Sequence, residues 1–285
     1  MTNKLNDSRI ARLIELALME DVGMGDITSD AIIDEGTLSR GELLCKQGGV
    51  IAGLEVAALV FRFCDESITF DPLIAEGADC PAGLVIARLD GSTKGILRGE
   101  RTALNFLQRM SGIASLTHRY VDAVTGTTAK ITDTRKTTPG LRVLDKWAVR
   151  LGGGTNHRFG LDDMVLIKDN HIVAAGGITK AIMLCRAYLD ERNVRTAVEV
   201  ETKNLDEVSE ALSCGGIQRI MLDNFSLADI RQAVKAIGRV VEVEASGGIT
   251  LSTVRAVAES GVDFISVGAL THSVTALDIS LELTT

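Results

Sequence analysis

Basic residues collect in the stretch from Asp133 to His171 of this acidic chain. The stretch contains seven Lys or Arg residues, although the whole chain has a formal net charge of -8. Two of the basic clusters follow short apolar runs, 129–132 and 164–167, so they stand where predicted strands end. A local excess of positive charge in an acidic protein indicates a small anionic ligand. The candidate ligand-binding residues are Arg135, Lys136, Arg158 and Lys168, with His157 beside them.

The number of these cations favours a ligand with more than one anionic group. Four cations are too many for a single phosphate, whereas a planar aromatic acid with two carboxylates would use them all. Arg would hold a carboxylate through its bidentate fork, and Lys would act as a point charge. His157 lies in a polar loop after a run of glycines and is interpreted as a ligand contact. The commoner role of an isolated histidine, that of a structural hydrogen bonder, stays open for it.

Two carboxylates end neighbouring predicted strands. Glu201 closes the run VEVE and Asp223 closes the run IMLD, so their side chains can converge on one ligand. Two hard oxygen donors suit Mg²⁺ carried by a pyrophosphate, because this ion keeps several waters and takes few protein ligands. They would also stabilise a ribose carbon that becomes cationic in a transition state. The alternative is an acid and base pair as in a glycosidase, which the neighbouring cations disfavour because they depress carboxyl pKa values.

Glycine turns follow the last two predicted strands. Ser246, Gly247 and Gly248 precede a helix predicted to begin near Thr250, and Gly268 follows the final strand. Backbone N–H groups of a glycine turn, aimed by a helix N-terminus, form a phosphate seat, and the last two loops of a β/α barrel commonly supply it. The pattern therefore predicts a sugar-phosphate site, unless the glycines serve only tight turns.

Regular alternation of strands and helices positions these residues. Such alternation predicts parallel strands joined by right-handed crossovers, and six strands predict an incomplete (β/α) barrel rather than a closed one. In that fold all strand ends lie on one face, so the six polar strand ends together predict a binding site. The predicted strands are 129–133, 164–168, 196–201, 219–223, 240–245 and 263–267.

The first hundred residues predict a smaller α+β unit. Helical spacing over residues 8–20 and 54–63 indicates amphipathic helices, and 41–50 with 68–74 are predicted strands. Two further helices are predicted over 98–111 and 113–124. Arg101 then falls in a first helical turn, where the macrodipole disfavours a cation. A surface ion pair with Glu100 is the plainer interpretation of this arginine.

Composition limits the classes of protein. At 285 residues and 46% hydrophobic content, the chain can bury a full core. The five cysteines are never spaced as CxxC, so neither a disulfide framework nor a zinc site is indicated. A sequence pI near 5.1 argues against a nucleic-acid partner. The polar start lacks the apolar centre of a signal peptide and no long apolar run exists, so a cytoplasmic, membrane-free protein is expected.

Many separate motifs, in order, resemble those of the quinolinate phosphoribosyltransferases, also called nicotinate-nucleotide pyrophosphorylases (carboxylating). They are EDVGMGDITSD, ERTALN, SGIA, DTRKTTPGLR, AVRLGGGTNHR, LIKDNH, VEVE, MLDN, EASGGIT and VGALTHS. The resemblance runs from about residue 8 to the end of the chain and is specific, because the motif spacing is also similar. One departure is Trp147, where the family has a tyrosine in KYAV; an aromatic ring is kept.

The resemblance implies a reaction. Quinolinate and phosphoribosyl pyrophosphate would give nicotinate mononucleotide, pyrophosphate and CO2 with Mg²⁺ as cofactor, a step of NAD biosynthesis. It also implies an N-terminal α+β sandwich (1–113) completed by 271–285, and a partial barrel over 114–270. The implied assembly is a homodimer or larger, with active sites shared between subunits.

Residue roles follow from the same resemblance. Four residues of the central stretch and an arginine of the adjacent subunit would bind quinolinate, and Lys136 would lie beside the ribosyl pyrophosphate. Glu201 and Asp223 would face the ribose and the metal, directly or through water. Arg135, His157, Arg158, Lys168 and Arg101 would thus bind quinolinate, and Ser246, Gly247, Gly248 and Gly268 would hold the 5'-phosphate.

Two other functions stay open at this stage. A related enzyme on the same scaffold, of the molybdenum-transport-associated type, would use another acceptor, and only the complete set of substrate cations argues against it. A non-catalytic protein that binds a sugar phosphate is the more distant alternative.

Overall fold

The computed structural model describes residues 8–284, which divide into two compact units. Of the described residues, the first unit contains 8–118, the segment Thr137–Gly153 and 270–284. The second contains Arg119–Lys136 and Gly154–Ala269. The predicted domain limits near residues 113 and 270 stay a prediction, and the contacts place the segment after Lys136 with the first unit.

Helices and strands follow one another as the hydrophobic spacing predicts for most of the chain. The helices are α1 (Ser8–Val22), α2 (Ile27–Ile32), α3 (Leu54–Cys64), α4 (Thr93–Ala123), α5 (Arg142–Leu151), α6 (Asp169–Ala175), α7 (Ile178–Glu191), α8 (Leu205–Cys214), α9 (Leu227–Ile237), α10 (Val254–Ala258) and α11 (Ala269–His272). The strands are β1 (Leu38–Cys45), β2 (Gly49–Val50), β3 (Thr69–Pro72), β4 (Asp79–Cys80), β5 (Val85–Ser92), β6 (Lys130–Thr132), β7 (Val165–Ile167), β8 (Val198–Thr202), β9 (Arg219–Asp223), β10 (Glu242–Ser246), β11 (Phe264–Ser266) and β12 (Ile279–Thr284).

An antiparallel sheet of four strands, in the order β12, β1, β5 and β3, forms the first unit with its helices. The chain end closes this sheet, since β12 pairs with β1 along its whole length. The strand predicted over 41–50 is in fact two strands, because β2 leaves the sheet and pairs with β4 instead. Neither β4 nor β5 was predicted. Strand β5 ends in Gly91 and Ser92, residues that weaken the strand pattern at its junction with α4.

The prediction of two helices over 98–111 and 113–124 is wrong, because α4 runs unbroken through Ser111 and Gly112. These small residues allow close packing rather than ending the helix. The Ser111 hydroxyl accepts from the backbone N–H of Ala52 and donates to its carbonyl. A Cβ on Gly112 would collide with the carbonyl of Thr275. Arg101 consequently lies well inside α4 and not in its first turn, so the macrodipole argument for this residue fails.

Six parallel strands form the sheet of the second unit, in the order β6, β11, β10, β9, β8 and β7. All six were predicted, with ends within two residues or so of those observed. The order is that of a β/α barrel, and each strand of this sheet runs parallel to its neighbours. Within residues 8–284, no ladder joins β6 to β7, so the barrel is incomplete as predicted.

The connecting helices are bounded by local signals. Asn204 caps α8 by accepting from the N–H of Glu207, and Ser226 caps α9 by accepting from the N–H of Asp229. Each helix buries one apolar face, such as Ile230, Ala233 and Ile237 of α9. Within the described range no single helix is long and apolar enough to span a membrane. The bent pair α6 and α7 would be long and apolar enough by length and composition alone.

Candidate functional site

A pocket of about 300 Å³ opens at the carboxyl ends of the six parallel strands. Residues at or just beyond the end of every strand of the sheet line it, as the polar strand ends predict. The residues that line it are Thr134, Arg135, Lys136, His157, Arg158, Leu166, Lys168, Glu201, Met221, Asp223, Glu244, Ser246 and Ser266.

Side chains of the strands reach the barrel interior in layers, because alternate residues of a strand point to the same face. Register places Asp223 of β9 beside Ser246 of β10 at the mouth, with Glu201 of β8 nearby. Two residues earlier along their strands, Glu199 and Glu244 are fully buried. The mouth is therefore polar and open, and its floor contains buried carboxylates.

Four basic side chains enter this pocket from three different segments. Arg135 and Lys136 follow β6 directly, Arg158 lies in the loop before β7, and Lys168 follows β7. Arg158 is only 8% exposed, and its guanidinium donates to the carbonyl of Met164 at 3.1 Å. Burial, and then the charge of Arg135, lower the pKa of Arg158. An anion that enters between these cations would relieve that repulsion, so the arrangement favours a carboxylate ligand.

Lys168 and Glu201 meet across the pocket mouth. Nζ of Lys168 lies 3.3 Å from Oε2 of Glu201. The backbone N–H of Lys168 donates to Nδ1 of His171 at 3.0 Å, which fixes the start of α6. Asp223 accepts from the side-chain amide of Asn224 at 2.9 Å. A cation and two carboxylates thus face the same space, which could receive an anionic acceptor on one side and a sugar on the other.

The turn after β10 has a backbone conformation that favours glycine. Gly247 and Gly248 both have positive φ angles, 89° and 62°, which L side chains rarely adopt. A Cβ on Gly247 would also collide with the side chain of Asn224. The helix predicted near Thr250 begins at Val254, after a turn in which the Val254 N–H donates to the Thr250 carbonyl at 2.9 Å. Any phosphate here would be bound by the turn itself and by Ser246.

Two buried carboxylates under the pocket were not predicted as site residues. Oε2 of Glu244 accepts from the guanidinium of Arg219 at 3.0 Å, and Oε2 atoms of Glu199 and Glu244 lie 3.0 and 3.5 Å from Nε2 of His157. Burial raises the pKa of both Glu199 and Glu244 to about 7, and in Glu244 the charge of Glu199 adds to the rise. One proton shared between the two acids relieves their repulsion at neutral pH. The side chains of His157, Glu199 and Glu244 are close enough to one another to surround a metal ion.

Stability is expected to report this buried pair. An acid whose pKa is raised by folding stabilises the folded state fully when the pH is below its pKa in the unfolded chain. This stabilisation is lost as the pH rises through its pKa in the folded state. For Glu244 the loss falls between about pH 4.5 and 7. We expect Glu244→Gln to gain in thermal midpoint relative to wild type between pH 5 and pH 8, by roughly 5–10 °C. Glu242→Gln on the same strand, 52% exposed, is the control; a Glu244→Gln difference independent of pH would contradict the raised pKa.

Arg101 is not among the residues that line this pocket. Its side chain is 59% exposed, and its guanidinium lies 3.8 Å from Glu100 within the first unit. Gly268 follows β11 immediately before α11. The structure therefore brings together the four cations, both carboxylates, His157 and Ser246 in one pocket, while the glycines of the two last loops lie just beyond its lining.

Sequence reasoning also missed Asp133, which is fully buried after β6. Its Oδ1 accepts from the backbone N–H of His157 at 2.9 Å, and Oδ2 accepts from the side-chain amide of Asn156 at 2.6 Å. A signal existed for Asp133, a charged residue directly after an apolar strand run, where an isolated carboxylate is costly unless it binds something.

Comparison with known proteins relates this geometry to a family. The model of the quinolinate phosphoribosyl transferase C-terminal domain matches residues 113–282, and that of the N-terminal domain matches 26–111. Together they cover the whole parallel sheet and most of the first unit.

Relatives and solved structures agree over nearly the full chain. Quinolinate phosphoribosyltransferase [decarboxylating] 1 of Nicotiana glauca is 46% identical over 96% of this chain and 82% of its own. A chloroplastic nicotinate-nucleotide pyrophosphorylase [carboxylating] of Arabidopsis thaliana is also 46% identical, with the same coverage. The crystal structure of NadC from Streptococcus pyogenes is 42% identical, covers 97% of each chain and superposes with a TM-score of 0.92. The chain therefore belongs to the quinolinate phosphoribosyltransferase family.

Proposed function

We propose that this protein transfers the phosphoribosyl group of phosphoribosyl pyrophosphate to quinolinate and releases CO2, forming nicotinate mononucleotide for NAD biosynthesis. The observation that carries this proposal is the convergence of three cations, Arg135, Arg158 and Lys168, with Glu201 and Asp223 in one pocket. Quinolinate has two adjacent carboxylates, which match three cations better than a single carboxylate would. Membership of the family supports the same reaction and the same two substrates.

The charges of the pocket fit the transfer step. The pyridine nitrogen forms a bond to C1' of the ribose while the bond from C1' to pyrophosphate breaks, and pyrophosphate leaves with both electrons. Positive charge grows on the sugar, where Glu201 and Asp223 would stabilise it. Negative charge grows on the leaving group, where exposed Lys136 would stabilise it. In the free protein Lys168 pairs with Glu201, so each substrate would replace one half of an existing ion pair.

The residues present fit Mg²⁺ as a proposed cofactor. Glu201 and Asp223 offer oxygen ligands on adjacent strands at the pocket mouth, and this ion needs few protein ligands when a pyrophosphate supplies others. When bound, Mg²⁺ would neutralise charge on the leaving pyrophosphate. The two carboxylates would hold it directly or through water.

Loss of CO2 would follow the transfer. The bond from the ring to the carboxyl carbon beside the nitrogen breaks, its electrons stay on the ring carbon, and a proton replaces the CO2. The nitrogen now carries positive charge and stabilises the adjacent carbanion. The protein therefore needs only to orient the acid and to neutralise the carboxylate that remains, a role that Arg158 and Arg135 would fill.

We also propose a homodimer, or a larger assembly built from it, in which Arg101 of one subunit reaches the quinolinate of the other. Support comes from the exposed position of Arg101 and from the family resemblance of ERTALN. We also propose a cytoplasmic location. The Arabidopsis thaliana relative is named as chloroplastic, and one Nicotiana tabacum relative is named as mitochondrial.

Calorimetry of the two substrates tests the assignment. Arg158→Ala is expected to weaken quinolinate binding by about 1.5 to 3 kcal/mol, roughly 10- to 150-fold, because a charged hydrogen bond is lost. Phosphoribosyl pyrophosphate should bind nearly as it does to wild type. Arg150→Ala, an exposed arginine of α5, is the control with little effect on either substrate. Nicotinate, with one carboxylate, should bind wild type more weakly than quinolinate does.

Equal weakening of both substrates by Arg158→Ala would contradict the assignment of this residue. Wild type that binds phosphoribosyl pyrophosphate but not quinolinate would favour an enzyme with another acceptor. Binding of both substrates without product formation would favour a binding protein.

A further inference from the structure

The loop that supplies Arg158 is fixed by side-chain acceptors rather than by a strand ladder. A single bridge from Thr132 to Thr155 continues the sheet beyond β6. After it, the backbone N–H of His157 donates to Oδ1 of Asp133 at 2.9 Å, and that of Phe159 donates to Oδ2 of Asp163 at 2.7 Å. The N–H between them, that of Arg158, donates to Nδ1 of His157 at 2.8 Å. Three successive backbone donors are thus held by three side chains.

The bond to Nδ1 determines the tautomer of His157. A backbone N–H can only donate, so Nδ1 accepts and carries no proton. The proton of the neutral ring is then on Nε2. That atom lies 3.0 Å from Glu199 and 3.5 Å from Glu244, and both of these carboxylates are fully buried. The acids under the pocket therefore favour the tautomer that leaves Nδ1 able to accept from Arg158.

Both ring nitrogens are consequently directed at the protein. The His157 side chain is only 5% exposed, and its two nitrogens face Arg158 and the buried acids. A proton on Nε2 also prevents this atom from ligating a metal, which argues against a metal ion among His157, Glu199 and Glu244.

We propose that His157 is a positioning residue for the acceptor site: in the Nε2–H form that the nearby Glu199 and Glu244 favour, it fixes the Arg158 backbone and so aims the Arg158 guanidinium at the acceptor carboxylate. This inference rests on the proposed function for the identity of the acceptor, and on the contacts alone for the role of the ring. The expectation that His157 binds quinolinate directly is the alternative that the substitutions below distinguish from it.

Histidine NMR of the free enzyme tests the tautomer without any activity. In protein labelled with ¹⁵N-histidine, long-range ¹H–¹⁵N spectra distinguish a protonated from an unprotonated Nδ1, and His157→Leu assigns the signal among the four histidines. We expect Nδ1 of His157 to be unprotonated at neutral pH, with and without quinolinate. A protonated Nδ1, in either state, would overturn the proposal. Failure of the proposed reaction would leave this spectrum unchanged, so the two can fail separately.

Two substitutions test the role of the acceptor atom. Asn places its Oδ1 where Nδ1 lies, so His157→Asn keeps an acceptor for the Arg158 N–H, whereas His157→Leu keeps bulk and removes it. We expect His157→Leu to raise KM for quinolinate about tenfold, with KM for phosphoribosyl pyrophosphate unchanged, and His157→Asn to restore most of the loss. His272→Asn, an exposed histidine of α11, is the control. Equal defects in the Asn and Leu variants would contradict the proposal and return His157 to direct contact.

Discussion

Asp223→Asn is expected to lower turnover by about 10²- to 10³-fold, because it removes a negative charge whose attraction to the ribose strengthens as positive charge develops there. The substitution keeps the size of the side chain and can still accept from the amide of Asn224. Quinolinate binding should change little, since the cations of the pocket come from other segments of the chain. Steady-state assays over a range of Mg²⁺ concentrations measure both effects, and the Mg²⁺ requirement should shift.

The matched control for this substitution is Asp206→Asn. Asp206 is an exposed acid in the first turn of α8, the helix that follows the strand of Glu201. It does not line the pocket. It should keep near-normal turnover. If Asp223→Asn also kept near-normal turnover at every Mg²⁺ concentration, its role at the ribose and the metal would be withdrawn.

Mixing two inactive variants is expected to restore activity if the sites are shared between subunits. Arg101→Ala and Lys136→Ala should each be nearly inactive alone. In a mixed dimer, both lesions fall in one site and the other site is intact. Random reassortment of equal amounts makes half of the dimers mixed, each with one good site of two, so about a quarter of wild-type activity should return.

A second mixture controls for nonspecific recovery. Glu201 and Lys136 line the same pocket of one subunit, so mixing Glu201→Gln with Lys136→Ala places one lesion in each site and should restore nothing. Subunit exchange is verified independently by mass spectrometry of labelled chains. With exchange proven, no recovery in the Arg101 mixture would mean that this arginine acts within its own chain or only in structure.

The sheet of the second unit could be predicted because its strands are short apolar runs that end in charged or glycine residues. Arg219 to Asp223 was predicted to the residue, and β8 was displaced at its start by two positions. The site followed from the same pattern. Parallel strands place their carboxyl ends on one face, so polar residues far apart in sequence could be expected to meet.

What could not be predicted depends on tertiary partners. Ser111 and Gly112 are poor helix formers, yet α4 continues through them because the space they leave is filled by backbone of other segments. Glu199 and Glu244 stand in identical VEVE runs, but the burial of one acid in each run depends on His157 and Arg219. Nothing local distinguishes these acids from a solvated strand face.

An ion pair and an aromatic contact hold Arg219 at the floor of the pocket. Arg219, which is half-buried, pairs with Glu244 and lies 3.8 Å from the ring centroid of Phe264. Above it, the histidine and the loop of Arg158 are held by side-chain acceptors. The groups at the mouth thus stand above buried acids, one of which pairs with Arg219.

The most direct test of the proposed reaction is a product assay with quinolinate that carries ¹³C in the carboxyl group beside the ring nitrogen. Purified protein, phosphoribosyl pyrophosphate and Mg²⁺ should give ¹³CO2, nicotinate mononucleotide and pyrophosphate in equal amounts, and no ¹³CO2 should form without phosphoribosyl pyrophosphate. Asp223→Asn protein prepared in the same way should release far less, which excludes a contaminating enzyme. Absence of nicotinate mononucleotide from wild type that binds both substrates, or ¹³CO2 release that does not need phosphoribosyl pyrophosphate, would contradict the proposed function.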